Sequence, residues 1–269
     1  VGKRRFRIAW NRMRTVRKEL RNAAKSGHSF ERIVSVGAPL ELRVAKKLGI
    51  PKRWYISDTE VNHLAHKLAK NAATDAIFPI HWDESIDGGW LKKFTQKKVN
   101  FHRLDGLHGH VHLRPQLRPV QVQDPPSFVV RRLQGDGIHD SDEVLEIPHQ
   151  ILEGIEITYA DESKYTGDPW QFITMLSQHN AVITQSVTVA SESVLMGIPT
   201  LLVSNAKRGF LERLESDGYP LFRLTSQSDV EEIQAQFLAG LFLTEALDMP
   251  EWPDAQQQFA DFIGSELID

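Results

Sequence analysis

The segment ITQSVTVASESVLMGIPTLLVS, Ile183 to Ser204, says more about this chain than any other. It predicts a buried strand ending at Gln185, a short polar loop, and a helix from about Ala190 to Met196. A tight Gly197-Ile198-Pro199 turn and a second apolar strand, Thr200 to Val203, follow. Short apolar runs bounded by turn residues are the mark of strands buried on both faces. A helix that opens just after such a strand aims its unpaired backbone N–H groups at one point, which suits an anion. Ser186, Thr188 and Ser191 bring hydroxyls to the same place. Glu192, one turn inside the helix, can accept hydrogen bonds from the hydroxyls of a ribose. A plain βαβ unit with Thr188 as helix N-cap is the competing reading, and the segment alone leaves both open.

The same alternation extends in both directions. Strands are expected at Arg32–Val36, Trp54–Ser57, Ala76–Ile80 and Val99–Leu104, and again at Phe128–Leu133, Glu156–Tyr159, Ala181–Thr184 and Leu221–Leu224. Helices are expected between them: Leu40–Leu48, closed by Gly49 and Pro51, and one opening at Asp58-Thr59-Glu60 and reaching about Ala73. Four more fall near Ser141–Glu153, Pro169–Ser177, Gly209–Asp217 and Asp229–Ala246, and a last one at Trp252–Ile268. Strands and helices alternating at this length mean parallel sheets. The proline-rich stretch Arg114 to Pro126 reads as a linker, dividing the chain into an α/β half over residues 1–118 and a second over 119–269. The first half lacks an opening strand with a Gly-rich turn, and Val1 is not an initiator methionine, so an incomplete first half or a processed chain is expected.

Composition bounds the chemistry. The chain has 269 residues, 41% apolar and 25% charged, as in an ordinary soluble globular protein. It has no cysteine, which excludes disulfides, a thiolate nucleophile and thiolate zinc sites and fits a reducing cytoplasm. No apolar run is long enough to span a bilayer, and no signal-peptide pattern opens the sequence. The net charge of −3 conceals a polarity, because Val1 to Ser26 holds ten Lys/Arg and only Glu19 as an acid. Phe6, Trp10, Met13, Val16, Leu20 and Ala24 recur there at helical spacing. Such a basic amphipathic helix packs on a sheet with its charges solvated, or lies against anionic lipid at the periphery of a membrane; a nucleic-acid partner is not expected.

Several segments together resemble the GT-B glycosyltransferases and UDP-N-acetylglucosamine 2-epimerases, and within that superfamily domain-of-unknown-function family 354. SVGAPLELRVAKKLGIP carries Gly37 and Pro39 of its first motif; YISDTEVNHLAHKLAKNAATDAIFP carries Asp58, Glu60, Leu68 and Asp75. HRLDGLHGHVHLRP, VVRRLQGDGIHD and the Ile183 to Pro199 segment follow in the family's order. A departure is Ser186-Val187, where the family has two glycines before the Thr. A Cβ at Val187 crowds backbone approach to a phosphate.

The resemblance implies two Rossmann-like parallel-sheet halves facing a cleft, with the nucleotide-sugar donor, expected to be UDP-linked, held by the second half. It implies glycosyl transfer to a sugar or lipid-linked acceptor in polysaccharide or glycoconjugate synthesis. A UDP-sugar 2-epimerase-like isomerase and a degenerate, non-catalytic binding module are the alternatives. No cofactor and no metal are expected, because a helix N-terminus and cationic side chains neutralise the leaving diphosphate. Arg131 and Arg132, leaving the first strand of the second half, are candidate phosphate clamps, and His139 in a Gly-rich loop is a candidate catalytic group. On the acceptor side Asp58, Glu60 and His63 are candidates for the base, with Asp58 as a helix N-cap the competing reading. His108, His110 and His112 are expected on one strand face, a spacing that can bind zinc or nickel. With no carboxylate near them in sequence they are not read as a metal site.

Overall fold

A computed structural model of the protein describes residues 2–113, 122, 124–133, 144–162, 165, 167–243 and 250–264. The chain forms two compact units, Val1–Leu107 with Asp254–Asp269, and His108–Pro253.

In the first unit, helix α1 (Gly2–Lys25) precedes strand β1 (Arg32–Val36), helix α2 (Pro39–Lys47), strand β2 (Lys52–Ile56), helix α3 (His63–Ala69) and strand β3 (Asp75–Pro79). Helix α4 (Trp90–Thr95) and strand β4 (Asn100–Leu104) complete it. The four strands are parallel and lie in sequence order, β1-β2-β3-β4. β3 is buried along its whole length. Aromatic rings fill the space beside it: Phe78 stacks on Trp82 at 4.4 Å and Tyr55 on Phe94 at 5.8 Å. On α1 the residues withdrawn from solvent are Ala9, Met13, Val16, Leu20 and Ala23, at spacings of four and three. That side meets α2, and Arg12 reaches Glu41 of α2 at 2.5 Å. Ile8 and Trp10 stay exposed.

The second unit opens with helix α5 (His108–His112) and runs through strand β5 (Ser127–Arg131), a 3-10 turn (His149–Leu152), strand β6 (Glu156–Tyr159) and helix α6 (Pro169–Leu176). Strand β7 (Ala181–Thr184), helix α7 (Val187–Leu195), strand β8 (Thr200–Val203), helix α8 (Gly209–Ser216), strand β9 (Leu221–Leu224) and helix α9 (Val230–Leu243) follow. All five strands are parallel, in the order β6-β5-β7-β8-β9. From β5 the chain steps outward to β6, then crosses back to β7 on the other side of β5. Phe128, Ile183, Leu201 and Phe237 of α9 anchor the core over this sheet.

Three expectations are corrected. The helix expected to open at Asp58 begins at His63 with Asn62 as its cap, whose side chain accepts from the Ala65 N–H; Asp58 therefore does not cap it. The histidine run is a helical turn rather than a strand. The division falls at Leu107/His108 instead of residue 118, and the last helix, α10 (Ala255–Ile263), belongs to the first unit. Phe262 lies against His102 of β4, Gln258 accepts from the Asp105 N–H, and Arg32 of β1 donates to the Ile263 carbonyl. Most of the expected linker, and all of the loop holding His139, lie outside the described residues.

Candidate functional site

In an open parallel sheet, ligands gather at the carboxyl ends of the strands where the strand order reverses. In the second unit that point lies between β5 and β7. Arg131 ends β5, Thr184 ends β7, and the two pair in register. The chain leaves β7 through Gln185 and enters α7 at Val187, earlier than the expected Ala190. The cap is Ser186, not Thr188: the Ser186 hydroxyl accepts from the Val189 N–H, and its own N–H donates to the Thr184 hydroxyl. The Ala190 N–H is bonded to the Ser186 carbonyl at 2.9 Å. An anion would therefore meet the N–H groups at Val187 and Thr188, with the Thr188 side chain exposed beside them. The Ser191 hydroxyl donates to the Thr188 carbonyl at 2.9 Å and so serves the helix itself.

The two arginines part company. Arg132 forms a two-pronged pair with Asp161, both bonds 2.9 Å, and lies over the Tyr159 ring. Its fork is thus already filled, which argues against a phosphate clamp there. Arg131 donates from Nη1 to the Ala160 carbonyl and rests on Phe172, 5.0 Å from its centroid. Its Nε is buried and has no hydrogen-bond partner among the described residues. Beneath it, Gln185 accepts from the Leu133 N–H and donates to the Leu145 carbonyl, tying two loops to the end of β7.

Glu192 has a partner that sequence reading missed. His112 Nε2 lies 3.3 Å from its Oε1, and that carboxylate, through a hydrogen bond, holds the His112 pKa above the ordinary imidazole value. In sequence the two residues lie far apart, so spacing gives no sign of the contact.

The acceptor-side candidates lie in the first unit, at the carboxyl end of β2. Asp58 is half-buried in the loop and His63, the first residue of α3, is exposed. Glu60 is wholly buried, and its Oε1 accepts from the Asp83 N–H, so it joins two loops. The most perturbed group nearby was not singled out from the sequence: His66 is buried and its pKa is lowered to about 4, chiefly by that burial. Its Nε2 faces the Thr59 and Glu60 carbonyls, which only accept, so Nε2 carries the hydrogen and Nδ1 accepts from the Tyr55 hydroxyl at 3.0 Å.

Two parallel-sheet α/β units of four and five strands make the fold GT-B-like. Among solved structures the chain is similar to a candidate UDP-N-acetylglucosamine 2-epimerase from Listeria monocytogenes. The TM-score is 0.62 and the identity 12%, over 97% of this chain and 79% of that one. It also aligns with a UDP-glucosyltransferase from Polygonum tinctorium at a TM-score of 0.47 and 11% identity, over 97% and 80% of the two chains. Comparison with family models and with curated proteins finds no match.

Proposed function

We propose that the protein binds a nucleotide-activated sugar, UDP-linked, in its second unit and transfers the sugar to an acceptor in polysaccharide or glycoconjugate synthesis. The observation that carries this reading is the coincidence of three features at the β5/β7 reversal. They are the open end of α7, the buried Arg131 Nε aimed at no partner among the described residues, and Glu192 one turn inside the helix. Phosphates would take the N–H groups at Val187 and Thr188 and the Arg131 guanidinium; Glu192 would take ribose hydroxyls. Asp58 and His63 are the proposed acceptor-side groups, Asp58 in the loop after β2 and His63 at the start of α3. The finer assignment to domain-of-unknown-function family 354 rests on the ordered motifs quoted above.

A second reading, 2-epimerisation of the UDP-sugar, draws on the likeness to the Listeria protein. Incubation with UDP-N-acetylglucosamine with and without sugar or lipid-linked acceptors separates the two. Transfer requires the acceptor, epimerisation proceeds without it, and absence of both reactions together with absence of UDP binding defeats the nucleotide-sugar reading. The proposal includes a peripheral contact of α1 with an anionic bilayer, where a lipid-linked acceptor would be met.

A further inference from the structure

The histidine run is split by its helix into two roles. His110 turns inward, buried, its ring 4.6 Å from that of Trp252 and its Nε2 3.4 Å from the Tyr219 hydroxyl. His108 and His112, four residues apart, lie on the same face of the turn with ring centroids 4.7 Å apart. Gly109 sets how near that face comes to α7. A Cβ at Gly109 would lie 2.5 Å from Leu195 Cδ1, so any larger residue there would have to displace that buried side-chain end or move α5 away from α7. The approach brings Glu192 to the two imidazoles, and one ligand atom from each of the three residues lies within 4.8 Å of the others.

The hydrogen positions make the arrangement specific. His112 Nδ1 is 3.0 Å from the His108 carbonyl, which can only accept, so Nδ1 carries the hydrogen. The lone pair of a neutral His112 is then on Nε2, the atom facing the Glu192 carboxylate 3.3 Å away. Two electron-rich atoms at that distance are held together by a shared proton or by a metal ion between them, and a metal ion would displace the proton. A ring nitrogen fixed through its partner by a backbone carbonyl is also the way metal-binding histidines are oriented.

We propose that His108, His112 and Glu192 form a binding site for a divalent cation of the zinc class. Zinc bonds to imidazole nitrogen and carboxylate oxygen are about 2.0–2.2 Å long, which puts ligands of a tetrahedral ion about 3.3 Å apart. The His112–Glu192 separation already has that value. His108 is exposed and closes the remaining gap by rotation of its side chain. Three protein ligands leave a fourth position open for water or another small ligand. Two imidazoles and one carboxylate favour zinc, cobalt or nickel over magnesium or calcium. Coordination through Oε1 leaves Glu192 Oε2 available to other donors, so the site is compatible with the nucleotide reading without depending on it.

The test uses tag-free, chelator-stripped full-length chain titrated with Co2+ while visible d–d absorption is followed, and with Zn2+ in a calorimeter. One ion per chain with the spectrum of a low-coordinate cobalt site is expected. His108→Ala and His112→Ala should each weaken binding at least ~10-fold, since even the loss of an outer-shell partner has that effect. His149→Ala, which removes an exposed histidine elsewhere, should leave it unchanged. Circular dichroism of His108→Ala, an exposed position, checks that the variant is folded. Absence of a cobalt spectrum in the wild type overturns the proposal, as does wild-type affinity in a folded His108→Ala. A parallel UDP titration of wild type and His108→Ala in chelator tests the nucleotide reading separately. UDP affinity should be equal in the two, and failure to bind UDP there leaves the metal result standing.

Discussion

At the scale of single residues, two carboxylates that look alike in sequence have different environments. Glu60 is wholly buried and joins two loops, whereas Glu192 is partly open and is met by an imidazole. If Glu192 takes ribose hydroxyls, each bond is charge-assisted and its loss costs roughly 1.5–3 kcal/mol. Glu192→Ala should then weaken UDP binding ~10- to 150-fold in calorimetric titration in the presence of chelator. The fold should survive, because a partly exposed glutamate in a helix contributes little stability of its own. Equal affinities would reduce Glu192 to a partner for His112. His66 gives a prediction of a different kind. Its folded pKa of about 4 lies below the unfolded value of about 6.5, so between those values the unfolded chain binds more protons. The stability His66 confers is complete above pH 6.5 and is lost as pH falls towards 4. The loss is of order 3 kcal/mol at about 1.4 kcal/mol per pH unit. Denaturant titrations across that range should show it, and His66→Gln should flatten the dependence.

At the scale of elements, what sequence could reveal depended on how local the cause was. The strands Arg32–Val36, Glu156–Tyr159, Ala181–Thr184, Thr200–Val203 and Leu221–Leu224 are legible to the residue, because an apolar run bounded by turns leaves few other choices. The start of α3 was not, since Asp58 and Asn62 are both good caps and only tertiary placement selects Asn62. His-Gly-His-Val-His imitates the two-residue period of a strand, yet the i and i+4 histidines meet on a helical turn. The partners of Arg132 and Glu192 come from distant segments, Asp161 and His112, and no spacing rule reaches them. Helix α1 was legible as amphipathic, but its withdrawn residues are Ala9, Met13, Val16, Leu20 and Ala23, leaving Trp10 exposed with Arg14 over its ring at 4.7 Å. A groove of about 320 Å³ joins Trp10 and Arg14 to Arg43 and Lys47 of α2, so cations from two helices line one apolar floor. Binding to vesicles containing anionic lipid should therefore be strong at low ionic strength and fall steeply with salt, as the Debye length shortens to ~8 Å near physiological ionic strength. Trp10→Ala should weaken it at every salt concentration. Sedimentation with neutral and anionic vesicles reads both effects, and no binding at low salt would remove α1 from the membrane.

At the scale of the whole molecule, the chain does not finish one unit before starting the next. It completes the second and then returns α10 to the first, where Phe262 meets His102, Gln258 meets the loop after β4, and Ile263 is buried. Stability of the first unit thus depends on the two ends of the sequence together. The second unit holds the β5/β7 reversal with residues from its own span only. Ending the chain at Pro253 removes the Phe262 and Ile263 contacts, each apolar side chain worth roughly 1.5–3 kcal/mol if fully buried. The first unit should then lose a few kcal/mol and open first. Hydrogen exchange resolved by segment checks this. Protection of β1 and β4 should fall in the shortened chain, while that of β5, β7 and α7 stays at its full-length level. UDP affinity should likewise be unchanged if the nucleotide is held by the second unit alone. Equal loss of protection in both sheets would instead mean that the units unfold together, and that α10 supports the molecule rather than one half of it.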